Sequence, residues 1–196
     1  MQVETLPLDE IRAQVERCRA CSLCESRTNI VFGEGDPHAR VLIVGEAPGK
    51  NEDLQGRPFV GAAGKFLDEL LEAAGLKREE VFIANVLKCR PPSNRNPQAD
   101  EIEACAPFLR KQTQSIDPYA IVTMGNFATQ FILRTGTGIT KLRGTVQQTG
   151  RFIVLPVFHP AAAIYDRSKR DVLLEDFKQI GAMVRARMAQ EQGKEN

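Results

Sequence analysis

The sequence predicts an α/β fold: a three-layer α/β/α sandwich around a central four-stranded, mostly parallel sheet. Three observations predict it. Four short apolar runs recur between residues 41 and 157. They are continuous rather than alternating, as expected of strands buried on both faces. Stretches of helical period lie between and after them, and strand–helix alternation is the signature of a parallel sheet between helical layers.

The elements follow in order. Val41-Leu42-Ile43-Val44 is the first strand, bounded by Asp36-Pro37 and Gly45. Residues 63–74 place Phe66, Leu67, Leu70, Leu71 and Ala74 on one helical face, with Gly75 available as a left-handed cap. Residues 81–87 form the second strand. Asn96-Pro97 and the acidic pair Asp100-Glu101 mark the start of a helix that runs to about Ile116. Residues 119–124 are the third strand, after which Asn126 caps a short helix through Leu133. Residues 152–157 are the fourth. Leu173, Phe177, Ile180 and Val184 then define a last amphipathic helix.

Composition bounds the function. The chain has 196 residues, with 26 Lys and Arg against 25 Asp and Glu and 42% hydrophobic content. That excludes disordered, collagenous and repeat classes. No apolar run approaches the roughly 20 residues of a membrane span. The N-terminal decapeptide lacks a basic region and an apolar core, so no signal peptide is expected and the protein is placed in the cytoplasm. Bulk charge gives no hint of a nucleic-acid partner. A single domain is expected over 1–190, opening with a cysteine-bearing helical segment, and 191–196 is expected to be a frayed tail.

Cys18-Arg-Ala-Cys21 is a C-x2-C pair, Cys24 follows it, and Cys89 and Cys105 lie far along the chain. Without an export signal a disulfide framework is not expected. A C-x2-C pair is a natural half of a four-cysteine site, and thiolates suit zinc or an iron–sulfur cluster. Spacing does not choose between them. Either would pin the N-terminal segment to the domain and fix the loop 88–97, a structural rather than a redox role.

Ligands of parallel sheets gather at the carboxyl ends of strands. There the sequence places Gly45-Glu46-Ala47-Pro48-Gly49, then Asn85 with Lys88-Cys89-Arg90-Pro91-Pro92, and Phe158-His159-Pro160. The first is no phosphate loop, but its rigid turn can present backbone N–H groups. It is equally readable as an ordinary turn. Glu46, Glu52 and Asp53 put carboxylates nearby, where solvated acids are common. Phe59, between Pro58 and Gly61, is either a stacking platform or a core plug. Asn85 in an apolar strand needs partners, from a loop or from a ligand edge. His159, held extended before Pro160, stands where a catalytic histidine belongs or serves the structure alone.

Taken together, Gly45–Gly49, Gly56-Arg57-Pro58-Phe59-Val60-Gly61, residues 85–92 and Phe158-His159-Pro160-Ala161 resemble the family 4, iron–sulfur uracil-DNA glycosylases over roughly residues 10–185. The resemblance implies a [4Fe–4S] cluster on Cys18, Cys21, Cys89 and Cys105, with Cys24 surplus. It implies a DNA repair enzyme of base excision repair that flips uracil from single- or double-stranded DNA and hydrolyses its N-glycosidic bond, acting as a monomer. Phe59 would stack on the base, Asn85 would read its Watson–Crick edge and His159 would stabilise the departing anion. Gly45 and Ala47 would line the base site. Ala47 stands near where the best-studied families of the superfamily carry a catalytic Asp, so the water-orienting role passes to Glu46 or Glu52.

Lys88, Arg90, Arg143, Arg167 and Lys169 are the expected phosphate contacts. Residues 161–165 are an expected apolar wedge. Two other functions use the same features: a relative that binds uracil in DNA without turnover, and an iron–sulfur electron carrier or redox sensor. The first would carry a basic, His-containing insertion near residue 88, and residues 88–97 hold none.

Overall fold

The structure is a computed structural model that describes residues 5–192. Its centre is a six-stranded sheet in the order β1-β3-β2-β4-β6-β5. The four inner strands are β3 (Phe82–Asn85), β2 (Val41–Gly45), β4 (Ala120–Met124) and β6 (Phe152–Val157), and they are mutually parallel. These are the four strands read from the sequence. The two edge strands, β1 (Glu34–Gly35) and β5 (Gln147–Thr149), pair antiparallel and were missed. Neither is apolar: Glu34-Gly35 and Gln147-Gln148-Thr149 face solvent at the sheet margins, so no hydrophobic run announces them.

Residues of β2 alternate between two cores. Val41 and Ile43 pack with α4 (Ala62–Ala74) and α9 (Ser168–Gln192), while Leu42 and Val44 pack with α1 (Leu8–Glu16), α5 (Ala99–Ile116) and α6 (Gly125–Leu133). Three layers result, as expected. Burial of Phe66, Leu67, Leu70 and Leu71 on α4, and of Leu173, Phe177, Ile180 and Val184 on α9, follows their helical spacing. Gly75 ends α4 at φ +68°.

Several boundaries moved. The fifth helix starts at Ala99, where Gln98 and Glu101 form a reciprocal capping box, and not at Asn96-Pro97. Asn126 lies inside α6 rather than capping it. The last helix continues to Gln192, so of the expected frayed tail only 193–196 falls outside the described residues. Among the described residues no helix is long and apolar enough to cross a membrane.

Candidate active site

β2 has β3 on one side and β4 on the other, so connections leave it in opposite directions. Crevices of α/β sheets open at such a point, beyond the carboxyl ends of the strands. Here the crevice is a pocket of about 420 Å³, walled by Glu46, Ala47 and Glu52 after β2, Asn85 at the end of β3 and His159 after β6, with Phe59 across from them. The sequence-derived residues Glu46, Glu52, Ala47, Phe59, Asn85 and His159 therefore converge.

Gly45 is not in the wall but beneath it. A methyl at its Cα would run into Asn85 Oδ1 and the Phe59 ring, so only glycine lets those two side chains close over β2. Asn85 is buried, and among the described residues its Oδ1 has no hydrogen-bond partner. A buried acceptor left open inside a pocket is costly unless a ligand supplies the donor.

Phe59 is held in a conformation that bulky residues avoid, φ +51°. Two contacts enforce it. The Phe59 carbonyl occupies the space a side chain at position 64 would need, and that residue is Gly64. Glu52 Oε1 accepts hydrogen bonds from the backbone N–H groups of Val60 (3.0 Å) and Gly61 (3.2 Å). The strained turn lays the Phe59 ring against His159, with centroids 5.7 Å apart and planes 30° apart. Phe59 is thus both readings at once, buried in the core and facing the pocket.

His159 Nδ1 accepts a hydrogen bond from the Ala161 N–H at 3.1 Å. That fixes the tautomer: Nε2 carries the proton and is free to donate. Burial pulls the His159 pKa down to about 4, against a smaller upward pull from Glu52, so the ring is neutral at physiological pH. The Glu46 carboxylate accepts no bond from the described residues, and burial raises its pKa above the usual carboxylate value. The two candidate glutamates are thereby separated: Glu52 shapes the Phe59 turn, while Glu46 is unengaged. Asp53, by contrast, is structural; its buried carboxylate accepts from the Thr28 and Asn29 N–H groups.

Asn94 and Arg95 also line the pocket, and of these sequence reasoning missed Asn94. Asn94 adopts φ +54° and accepts a bond from Arg90 Nε at 2.7 Å. Arg95 is paired with the buried Glu101. Nothing in the composition around Asn94 signals it; the Pro91-Pro92 turn folds it back.

Next to this pocket all five cysteines line a second, much smaller one, of about 10 Å³. It lies over a small cluster of Leu23, Leu87, Cys89 and Cys105. All five thiols are free. Arg27 donates to Cys89 Sγ and the Lys88 backbone N–H to Cys105 Sγ, each at 3.2 Å. Burial raises the pKa of Cys21 and Cys89, and that of Cys105 to about 11.

The expected phosphate contacts divide. Lys88 is 1% exposed and presents no surface to DNA, because its side chain turns inward beside the thiols. Arg143 is engaged through Nε and Nη2 by the buried Asp176 and is not free for a phosphate. Arg90 holds Asn94. Lys169 pairs with Asp166 at 3.2 Å, and Arg167 is exposed. Tyr165 and Ile164, in the short segment before Arg167, are 90% and 49% exposed.

The model of the uracil DNA glycosylase superfamily matches residues 32–180. The chain is 49% identical to the type-4 uracil-DNA glycosylase of Sulfurisphaera tokodaii over 182 residues, 88% of this chain and 83% of that one. It belongs to the type-4 uracil-DNA glycosylases. The corresponding enzyme of Archaeoglobus fulgidus is 45% identical over 90% of this chain and 92% of its own, and that of Saccharolobus solfataricus 45% over 88% and 84%. The matched region spans every strand of the sheet: it begins before β1 and ends inside α9.

Proposed function

We propose that this glycosylase releases uracil from single- and double-stranded DNA inside the cell as a monomer, through the pocket of Asn85, Phe59, Glu46 and His159. The observation that carries the assignment is the unpartnered Asn85 Oδ1. Uracil offers N3–H to that acceptor, and its O4 can take the amide N–H. Cytosine presents the reverse pattern and would leave buried groups unpaired, which costs orders of magnitude in rate.

In duplex DNA the nucleotide must first leave the stack, at a few kcal/mol. Phe59 then covers the base. As the N-glycosidic bond breaks, negative charge grows on the uracil and positive charge on the sugar. His159 Nε2–H donates to O2 and stabilises the anion; a neutral donor does so without a proton being lost to bulk solvent. Backbone N–H groups of the 45–49 turn add to it. The Glu46 carboxylate stabilises the cationic sugar and orients the attacking water. Water adds to the sugar carbon and its proton passes to Glu46; the departing uracil anion takes up a proton on release and Glu46 returns its own to solvent, which restores the carboxylate. The products are free uracil and an abasic site.

The thiol pocket fits a [4Fe–4S] cluster on Cys18, Cys21, Cys89 and Cys105, with Cys24 as the fifth wall. Among the described residues no three His, Cys, Asp or Glu side chains converge on one ion-sized point. Cysteine thiolates suit either zinc or an iron–sulfur cluster, and the resemblance of the sequence to the iron–sulfur family favours the cluster. Bound, the cluster supplies a cross-link between the N-terminal segment and the 88–97 loop. The test is uracil release from single- and double-stranded oligonucleotides by purified protein, with iron and zinc measured on the same sample. Release with about four irons per chain is expected; tight uracil-DNA binding without release would favour the non-turnover alternative.

A further inference from the structure

Among the largest fully buried side chains is one cation, Lys88. Among the described residues no carboxylate pairs with it. Its Nζ donates to the Asn85 backbone carbonyl at 2.8 Å. A buried ammonium normally needs an opposing charge. The groups around it that can supply one are thiols: Lys88 lines the cysteine pocket, precedes Cys89, and places its own N–H on Cys105 Sγ. Four thiolates on a [4Fe–4S] core leave that site net negative. Arg27, the other cation on the pocket wall, reaches Cys89 from a partly exposed position and is also held by the Cys18 carbonyl.

We propose that Lys88 is the internal counter-cation of the cluster site and, through the Asn85 carbonyl, the positioning residue that ties this site to the uracil-reading amide. The inference rests on the cluster assignment above. It explains why a lysine that sequence reasoning set against DNA faces inward. It also gives the two pockets a direct physical link, three residues long, from thiolate charge to the strand end that carries Asn85.

Lys88→Met removes charge and donor; Lys88→Gln keeps a donor of shorter reach and removes the charge. Loaded proteins are compared for iron retention against a chelator, cluster midpoint potential, and kcat and KM for uracil release. Both variants should lose iron about 10-fold faster, in line with outer-shell substitutions at metal sites, and shift the potential to more negative values. Release by Lys88→Met should fall about 10-fold in kcat with KM little changed, and Lys88→Gln should recover part of kcat but not the potential. Unchanged iron retention and potential in Lys88→Met would overturn the counter-cation role; unchanged kcat would overturn the tie to Asn85. Should Lys88→Met not fold, Lys88→Arg provides the measurement: it should keep the potential near wild type, and a displacement as large as that of Lys88→Gln overturns the proposal. Wild-type protein without iron would defeat the cluster assignment instead, a separate result.

Discussion

The thiol pocket and the uracil pocket are built on one stretch of chain, residues 85–91, and are finished in opposite ways. Around the thiols the walls are apolar, and the N–H groups of Arg27 and Lys88 already reach sulfur. In the proposed uracil pocket the decisive groups are open: among the described residues Asn85 Oδ1 has no partner and the Glu46 carboxylate accepts no bond, and His159 Nε2 is left to donate. A site that holds structure satisfies its polar groups from within. A site that does chemistry leaves them for the substrate and stores the cost in its neighbours, here the strained Phe59 turn.

Substitutions should separate the two. His159→Ala is expected to slow uracil release by about 100-fold or more, the scale of losing one anion-stabilising donor, with iron content and melting temperature close to wild type. Single-turnover assays beside metal analysis check this. Cys89→Ala should do the reverse, losing the cluster colour and several degrees of melting temperature, with activity falling only as folded protein is lost. A coloured, stable Cys89→Ala would remove Cys89 from the ligands.

Within the uracil pocket, the two glutamates should differ. Glu46→Gln is expected to lower kcat by about 10- to 100-fold, in the range of a positioned general base, without changing stability. Glu52→Gln should loosen the Phe59 turn and so raise KM and lower the melting temperature. The pH profile carries the same distinction. In the proposed role Glu46 works as a carboxylate, so activity should be present above its pKa and lost as pH falls through it, and its raised value should move that acid limb upward. His159 stays neutral down to about pH 4, so no inflection should appear near 6.5. In Glu46→Gln the acid limb should flatten. The smallest effect is expected at the rim: Ile164→Ala with Tyr165→Ala should weaken release from duplex several-fold more than from single strands, because only duplex has to be opened at a few kcal/mol.

Much of this was legible in the sequence, and the limits are physical. Inner strands betray themselves because both faces are buried, so Val41–Val44 and Phe152–Val157 read as unbroken apolar runs. Edge strands such as Gln147–Thr149 carry no such pattern. Asn85 and His159 were legible because a polar residue at a parallel strand's end is out of place in a core. Asn94 was not, since it reaches the pocket through a turn whose positive φ values leave no mark on composition. Lys88 was misread because a lysine is ordinarily a surface residue. Only the fold shows that its neighbours in space are sulfur atoms and a backbone carbonyl.

The division between the two pockets is tested most directly by Asn85→Ala, with uracil release and iron content measured on the same preparation. Its backbone carbonyl, and hence the link to Lys88, is kept. Release is expected to fall about 100-fold or more with iron unchanged. Wild-type release, or loss of iron in place of activity, would contradict the account.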